Sequence, residues 1–160
     1  MDVGDTVPDV TTPLANGEVD TFALPDRLDE APLVLAFFPG AFTEVCTHEM
    51  ETFADRIAAF DELDAAVYGV SIDTPFALNA FREDLALPFP LVSDTNRELI
   101  HEFDVAMDFA SMGVEEVAKR AVFVVDGNGE VTYRWVASDP GIEPDYDEVL
   151  AAVERLAEPA

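Results

Sequence analysis

Phe37-Phe38-Pro39-Gly40-Ala41-Phe42-Thr43-Glu44-Val45-Cys46-Thr47-His48-Glu49 is the stretch that decides how this chain is read, because a buried strand ends in it, a helix begins in it, and the only cysteine lies at the junction. Just upstream, Leu33-Val34-Leu35-Ala36-Phe37-Phe38 is a short unbroken apolar run, which fits a strand covered on both faces in the middle of an α/β sheet. Pro39 ends it. Downstream, Cys46, Met50, Phe53, Ile57 and Phe60 follow at spacings of four, three, four and three, one stripe along a single helix. Thr43 is the expected N-cap, with Glu44 an acid in the first turn.

The sulfur of Cys46 is thus expected in the first helical turn, on the inward face. A helix N-terminus carries unsatisfied N–H groups and roughly half a positive charge, so it favours a thiolate over a thiol. Ionisation alone gains only roughly 30-fold, since a free thiol is already a few per cent thiolate at neutral pH, and a less basic thiolate is also a weaker nucleophile. A fast reaction at Cys46 therefore needs groups that hold and polarise the other reactant. Thr43, one turn earlier, has a hydroxyl that can both donate and accept, and free N–H groups surround it.

The pattern Pro39-x-x-x-Thr43-x-x-Cys46 resembles the signature of the peroxiredoxins, thiol peroxidases of thioredoxin-like fold. The resemblance extends to Val34-Leu35-Ala36-Phe37-Phe38-Pro39, to Thr47-x-Glu49, to Gly69-Val70-Ser71-Ile72-Asp73, to Pro90-Leu91-Val92-Ser93-Asp94 and to Arg120-Ala121-Val122-Phe123-Val124-Val125-Asp126, and so covers almost the whole chain. It implies that Cys46 is the peroxidatic nucleophile, that Thr43 orients the peroxide, that Pro39 shields the pocket from water and that Arg120 stabilises thiolate and transition state. The sulfur would take an oxygen from a peroxide and become a sulfenic acid. Members with a local resolving cysteine often carry it five residues downstream, where this chain has Glu51. The reductant must then be external, a low-molecular-weight thiol or a thioredoxin- or glutaredoxin-like protein with reactive cysteines. Family resemblance also favours a homodimer; no cofactor and no metal are expected.

Three other readings stand beside this one. A lone cysteine on an apolar helix face is more often an inert small hydrophobe than a catalyst; Pro39, Thr43 and Arg120 together reverse those odds. A thiol–disulfide oxidoreductase shares the fold, but its chemistry normally uses Cys-x-x-Cys, and Thr43 occupies the earlier position. A redox-sensing or adaptor protein would form a mixed disulfide with a partner through Cys46 and react once rather than turn over.

Composition bounds the rest. The chain has 160 residues, the length of one domain able to bury roughly 70% of its unfolded surface. One cysteine excludes an intramolecular disulfide, and no cysteine pair has metal-binding spacing. The start Met1-Asp2-Val3-Gly4-Asp5 lacks a basic region and an apolar run, and no apolar stretch approaches about 20 residues, so a cytosolic location without a membrane span is expected. The formal net charge is −26, from 34 acids against eight bases, of which only Lys119 is lysine. Such a chain repels nucleic acid and anionic membranes. Nearly half of its residues are apolar and regularly spaced, so it folds, and the acidic shell resembles that of proteins from salt-loving organisms.

In order, Asn16-Gly17 between Thr11–Leu14 and Val19–Phe22 predicts a hairpin. Ala66–Asp73 predicts a second buried strand and hence a βαβ unit. Thr74-Pro75 predicts the start of a helix reaching about Leu85. Phe89–Val92 predicts a short strand at an edge or with its proline at the strand start. Asn96–Phe103 predicts a short helix, with His101 structural or exposed; His48, two residues after Cys46, points about 200° away from it. Asp104–Lys119 reads as a loop and short helix near the pocket mouth or a subunit contact. A second hairpin follows across Asp126-Gly127-Asn128-Gly129, whose alternate acids fail as an EF-hand because Val131 and Ala137 replace the required glycine and acid. Asp145–Leu156 predicts a closing helix. Together these imply a thioredoxin-like three-layer α/β/α sandwich with an N-terminal β-hairpin addition.

Overall fold

The computed structural model describes residues 1–157. Its strands are β1 (Thr11–Ala15), β2 (Val19–Ala23), β3 (Leu33–Phe37), β4 (Ala66–Ser71), β5 (Leu91–Ser93), β6 (Ala106–Phe109), β7 (Val114–Ala118), β8 (Ala121–Val125) and β9 (Val131–Val136). Its helices are α1 (Glu44–Asp55), α2 (Ile57–Glu62), α3 (Pro75–Leu85), α4 (Glu98–Glu102) and α5 (Tyr146–Ala157). Seven strands form the main sheet in the order β2-β1-β5-β4-β3-β8-β9. β3 lies inside it, parallel to β4 and antiparallel to β8, and all five of its residues are buried.

Strand alternation sends β3 side chains into two cores. Val34 and Ala36, with Phe38 beyond the strand end, pack with Met50, Phe53, Leu78, Phe81 and Val153 from α1, α3 and α5. Leu33, Leu35 and Phe37 pack with Ile100, Phe103 and Phe123 on the opposite face. The sheet is therefore flanked by helices on both sides, as a thioredoxin-like fold requires, although among the described residues the second side carries only the short α4, a 3₁₀ turn at Leu24–Glu30 and the β6–β7 pair. The Asn16-Gly17 hairpin joins the sheet through β1 and β5, with Gly17 at φ +101° in the turn.

Several local expectations are corrected. The single helix from Cys46 to Phe60 is two helices, because Arg56 leaves helical geometry at φ −101°, ψ 2°. Its N–H reaches both Thr52 and Phe53 carbonyls, and the apolar stripe survives the break because Phe60 still packs against Phe53. Thr43 holds the N-cap position in extended geometry, but its side chain does not cap. α4 starts at Glu98 rather than at Asn96, because Arg97 is left-handed at φ +63°, and the Asp94 carboxylate accepts from the N–H groups of Leu99 and Ile100.

Of the two alternatives for Phe89–Val92 the strand-start one holds: β5 runs between β1 and β4 rather than at an edge, and Pro90 falls just before it, where the missing N–H breaks no ladder bond. Asp104–Lys119 forms the β6–β7 hairpin around a 3₁₀ turn at Ala110–Met112, not a loop and helix. Its register shifts between Met107 and Phe109, and such an irregularity erases the two-residue period that would have marked the strands. Asp126 Oδ1 accepts from the N–H groups of Asn128 and Glu130, so that carboxylate closes a turn.

Candidate active site

β3 ends at Phe37, and the chain turns through Phe38-Pro39-Gly40-Ala41-Phe42 to enter α1. The turn forces Phe42 to φ +66°, a conformation that a bulky residue rarely adopts. Cys46, in the first turn of α1, is buried, and its thiol is free. The helix end leaves the N–H groups of Glu44, Val45 and Cys46 without intrahelical acceptors, and these three residues line a cavity of about 240 Å³ together with Pro39, Thr43, Phe109, Arg120, Pro140 and Gly141. All four residues singled out from sequence, Pro39, Thr43, Cys46 and Arg120, thus meet in one cavity.

Arg120 stands just before β8, and the antiparallel β3–β8 pairing of Phe37 with Ala121 brings the start of β8 to the end of β3. Its guanidinium is almost wholly buried. Nη2 donates to Cys46 Sγ at 3.2 Å, Nη1 to Glu49 Oε1 at 2.8 Å, and Nε and Nη2 to the Pro140 carbonyl at 3.1 and 2.9 Å. Burial opposes the charge of Arg120, but Glu49 and Cys46 more than offset it, and its pKa is raised. The fork is fixed on three sides, which a lysine could not reproduce. Thr43 Oγ1 donates to the Gly40 carbonyl at 2.8 Å. With its proton committed there, the hydroxyl has only acceptor capacity left.

Glu49 is fully buried, and burial pushes its carboxyl up to about 7 against the opposing pull of Arg120. Its Oε2 has no hydrogen-bond partner among the described residues. A buried carboxyl that changes charge near neutrality thus sits beside a permanently charged guanidinium.

The decisive comparison is with protein families: a model of the AhpC/TSA family matches residues 3–134. The chain belongs to the AhpC/TSA family. Among similar peroxiredoxins, a chloroplastic 2-cysteine peroxiredoxin of Chattonella marina var. antiqua is 33% identical over 162 residues, covering 96% of this chain and 80% of that one. The structure of AhpC from Mycobacterium tuberculosis superposes with a TM-score of 0.80 at 31% identity, covering 98% and 93% of the two chains. Peroxidoxin BcpB from the same organism gives a TM-score of 0.84 at 29% identity, covering 98% of each. As a peroxiredoxin, the chain is a thiol-dependent peroxidase, and its single cysteine fits the peroxidatic position.

Some residues of this peroxiredoxin site lay outside the sequence reading. Glu49 belongs to the Thr47-x-Glu49 pattern, and it follows Cys46 by three residues and so shares its helix face; an acid on an apolar face signals a buried partner. Phe109 brings the Asp104–Lys119 segment to the cavity, near the pocket mouth as the sequence led one to expect, though on a hairpin, whereas Pro140 acts through a backbone carbonyl that any residue could supply and had no sequence signal. His48 points away from Cys46, with Nδ1 2.6 Å from Glu143 Oε1, a contact that raises its pKa. Tyr146 donates to the same Glu143 oxygen at 2.6 Å, so these side chains brace the loop that holds Pro140. His101 is exposed, 3.4 Å from Glu116.

Proposed function

We propose that this peroxiredoxin reduces hydrogen peroxide and organic hydroperoxides through Cys46 by a one-cysteine cycle. The Cys46 thiolate attacks the terminal oxygen of a hydroperoxide, the S–O bond forms as the O–O bond breaks, and the alkoxide or hydroxide that leaves takes a proton from solvent. Sulfur loses two electrons and becomes a sulfenic acid. One external thiol displaces water to give a mixed disulfide, and a second releases the disulfide and restores Cys46. Thr43 accepts from the peroxide O–H and orients it. Arg120 and the free N–H groups at the start of α1 stabilise charge moving across the O–O bond. Pro39 and Phe109 exclude water.

The observation that carries this reading is the 3.2 Å contact of Arg120 Nη2 with Cys46 Sγ in the cavity that Thr43 lines. The one-cysteine cycle is supported by the presence of Glu51, exposed, where a local resolving cysteine would stand. We further place the protein in the cytosol, where reducing thiols suit a lone cycling cysteine. We read it as one domain acting as a homodimer, with an acidic shell suited to high salt. No helix among the described residues is long and apolar enough to cross a membrane.

Intact mass of the reduced protein at high salt, a few seconds after equimolar peroxide, tests the reading with Cys46→Ser as control. Gain of one or two oxygens by the wild type alone, followed by multiple turnovers when a small thiol is added, is expected. No gain over the control would end the proposal, and a single turnover with excess thiol would turn it into a sensor.

A further inference from the structure

We propose that Asp73 is a positioning residue for the peroxidase reaction, holding the Thr43 hydroxyl in place through the Gly40–Ala41 peptide; this rests on the role given to Thr43 above. Asp73 Oδ2 accepts from the Ala41 N–H at 2.8 Å, and the Gly40 carbonyl accepts from Thr43 Oγ1 at 2.8 Å. That carbonyl and that N–H belong to the same planar peptide unit. The unit is therefore gripped at both ends, by a carboxylate on one side and by the substrate-orienting hydroxyl on the other. Rotating it to relieve one bond breaks the other.

Asp73 is itself anchored in the sheet. Ser71 and Ser93 are register partners across the parallel pair β4–β5, and both are completely buried. Ser71 Oγ donates to Asp73 Oδ2 at 2.6 Å and accepts from the Asp73 N–H at 3.2 Å, while Ser93 Oγ donates to the Asp73 carbonyl at 2.6 Å. Thr12 on β1 donates to the Ser93 carbonyl and extends the chain of bonds across another strand. Both backbone groups of Asp73 are thus tied to the strand ends, and the carboxylate is what reaches over to the loop.

The loop needs such a restraint. Phe42 at φ +66° occupies a region that is strained for a bulky non-glycine residue and persists only where surrounding contacts hold it. Among the contacts that hold it are the Phe42 ring against Phe81, 5.1 Å between centroids, the Thr43–Gly40 bond that spans it, and the Asp73 bond one residue earlier. Freed from Asp73, the loop can relax Phe42 to negative φ by turning the adjoining peptides, and Thr43 moves with them. The charge has a second effect. A carboxylate on the N–H end of a peptide polarises its carbonyl, which binds the Thr43 proton more firmly and keeps the hydroxyl facing the peroxide as an acceptor. Asp73 does not line the cavity, so it acts only through this peptide.

The test measures two reactions of Cys46 by stopped flow, oxidation by hydrogen peroxide and alkylation by iodoacetamide, which makes no use of Thr43. The variants are Asp73→Ala and Asp73→Asn, each in the wild-type and Thr43→Val backgrounds. Misplacement by about 1 Å costs on the order of 100-fold, so Asp73→Ala should slow oxidation by roughly 10- to 100-fold while alkylation stays within about twofold. Asp73→Asn, whose amide oxygen still accepts from Ala41, should recover most of the loss. In the Thr43→Val background, Asp73→Ala should add less than about twofold, since residues acting as one unit are not additive. If Asp73→Ala did not fold, Ser71→Ala carries the same test with a smaller slowing of about three- to tenfold. Wild-type oxidation by Asp73→Ala, equal loss of alkylation, or an undiminished effect in Thr43→Val would overturn the proposal. Fast oxidation of Thr43→Val itself would overturn the Thr43 reading and this inference with it, whereas slow Thr43→Val beside fast Asp73→Ala would overturn this inference alone.

Discussion

Arg120 Nη1 and Glu49 Oε1 meet at 2.8 Å across 71 residues of sequence, and both side chains are shut off from water. A buried ion pair is weak evidence for stability, because desolvation offsets most of the attraction. Its consequence here is directional. With Nη1 held by Glu49 and Nε by Pro140, the guanidinium plane is fixed and Nη2 is aimed at Cys46.

Arg120→Lys tests that geometry. The charge stays, but a single ammonium cannot reach Cys46, Glu49 and the Pro140 carbonyl together. We expect oxidation of Cys46 by peroxide to slow by roughly 10- to 100-fold, on the scale of losing a preorganised donor. Stability should fall by about 1–3 kcal/mol from the acceptors left unpaired. A drop in thermal midpoint with unchanged peroxide kinetics would make Arg120 purely structural.

Thr43→Val and Thr43→Ser separate the hydroxyl from the shape of its side chain. Valine keeps the volume and loses the bond to Gly40; serine keeps the bond. Peroxide oxidation should fall on the order of 100-fold in the first and by less than about tenfold in the second. Equal rates in the two variants would contradict the hydroxyl's role.

Glu49→Gln addresses pH. Burial raises the Glu49 pKa to about 7, above an unfolded value of about 4.3, so the folded state holds the proton more tightly than the unfolded one. The stabilisation is full below about pH 4, is lost progressively as pH rises to about 7, and is gone above it. Glu49→Gln cannot ionise. Denaturation midpoints from pH 5 to pH 8 should therefore fall more steeply in the wild type than in the variant; parallel curves would show that Glu49 titrates at its unfolded value.

Gly69→Ala probes how α1 lies on the sheet. A Cβ at Gly69 would stand 2.6 Å from Leu91 Cδ2, 3.0 Å from Met50 Sδ and 3.2 Å from Phe38 Cε1. Overpacking of this kind costs typically about 1–3 kcal/mol. Leu91 is itself buried, so Leu91→Ala should cost clearly less in the Gly69→Ala background than in the wild type, since Leu91 makes the closest approach, and strictly additive losses would contradict that cause.

Salt dependence tests the acidic shell. With a formal net charge of −26, self-repulsion is screened over about 10 Å at 0.1 M salt and about 3 Å at 1 M. The thermal midpoint should rise between these concentrations, by about 2–4 °C for each kcal/mol regained. A flat response would remove the argument for adaptation to high salt.

The parts legible in sequence were those whose signal is local. The apolar run Leu33–Phe38 revealed a buried strand, and the Cys46–Phe60 stripe revealed which helix face is covered. That stripe did not reveal the break at Arg56, because periodicity reports burial rather than backbone continuity. Thr43 was placed at the right position with the wrong bond, since its hydroxyl reaches back to Gly40 instead of forward into α1. The β6–β7 hairpin was missed because its irregular register interrupts alternation.

Sequence alone determined the strand-to-helix junction and the thiol at its helix end, because strand burial and helix period are written along the chain; Pro39, Thr43 and Arg120 were marked as its companions by the family resemblance of their motifs. Tertiary structure decided what that junction touches. The β3–β8 pairing brings Arg120 to Cys46 and Glu49, β4 and β5 carry Asp73 to Ala41, and the loop around Pro140 closes on the guanidinium. Those contacts join residues tens of positions apart through backbone carbonyls, carboxylates and strand register, and they exist only once the sheet has ordered its strands.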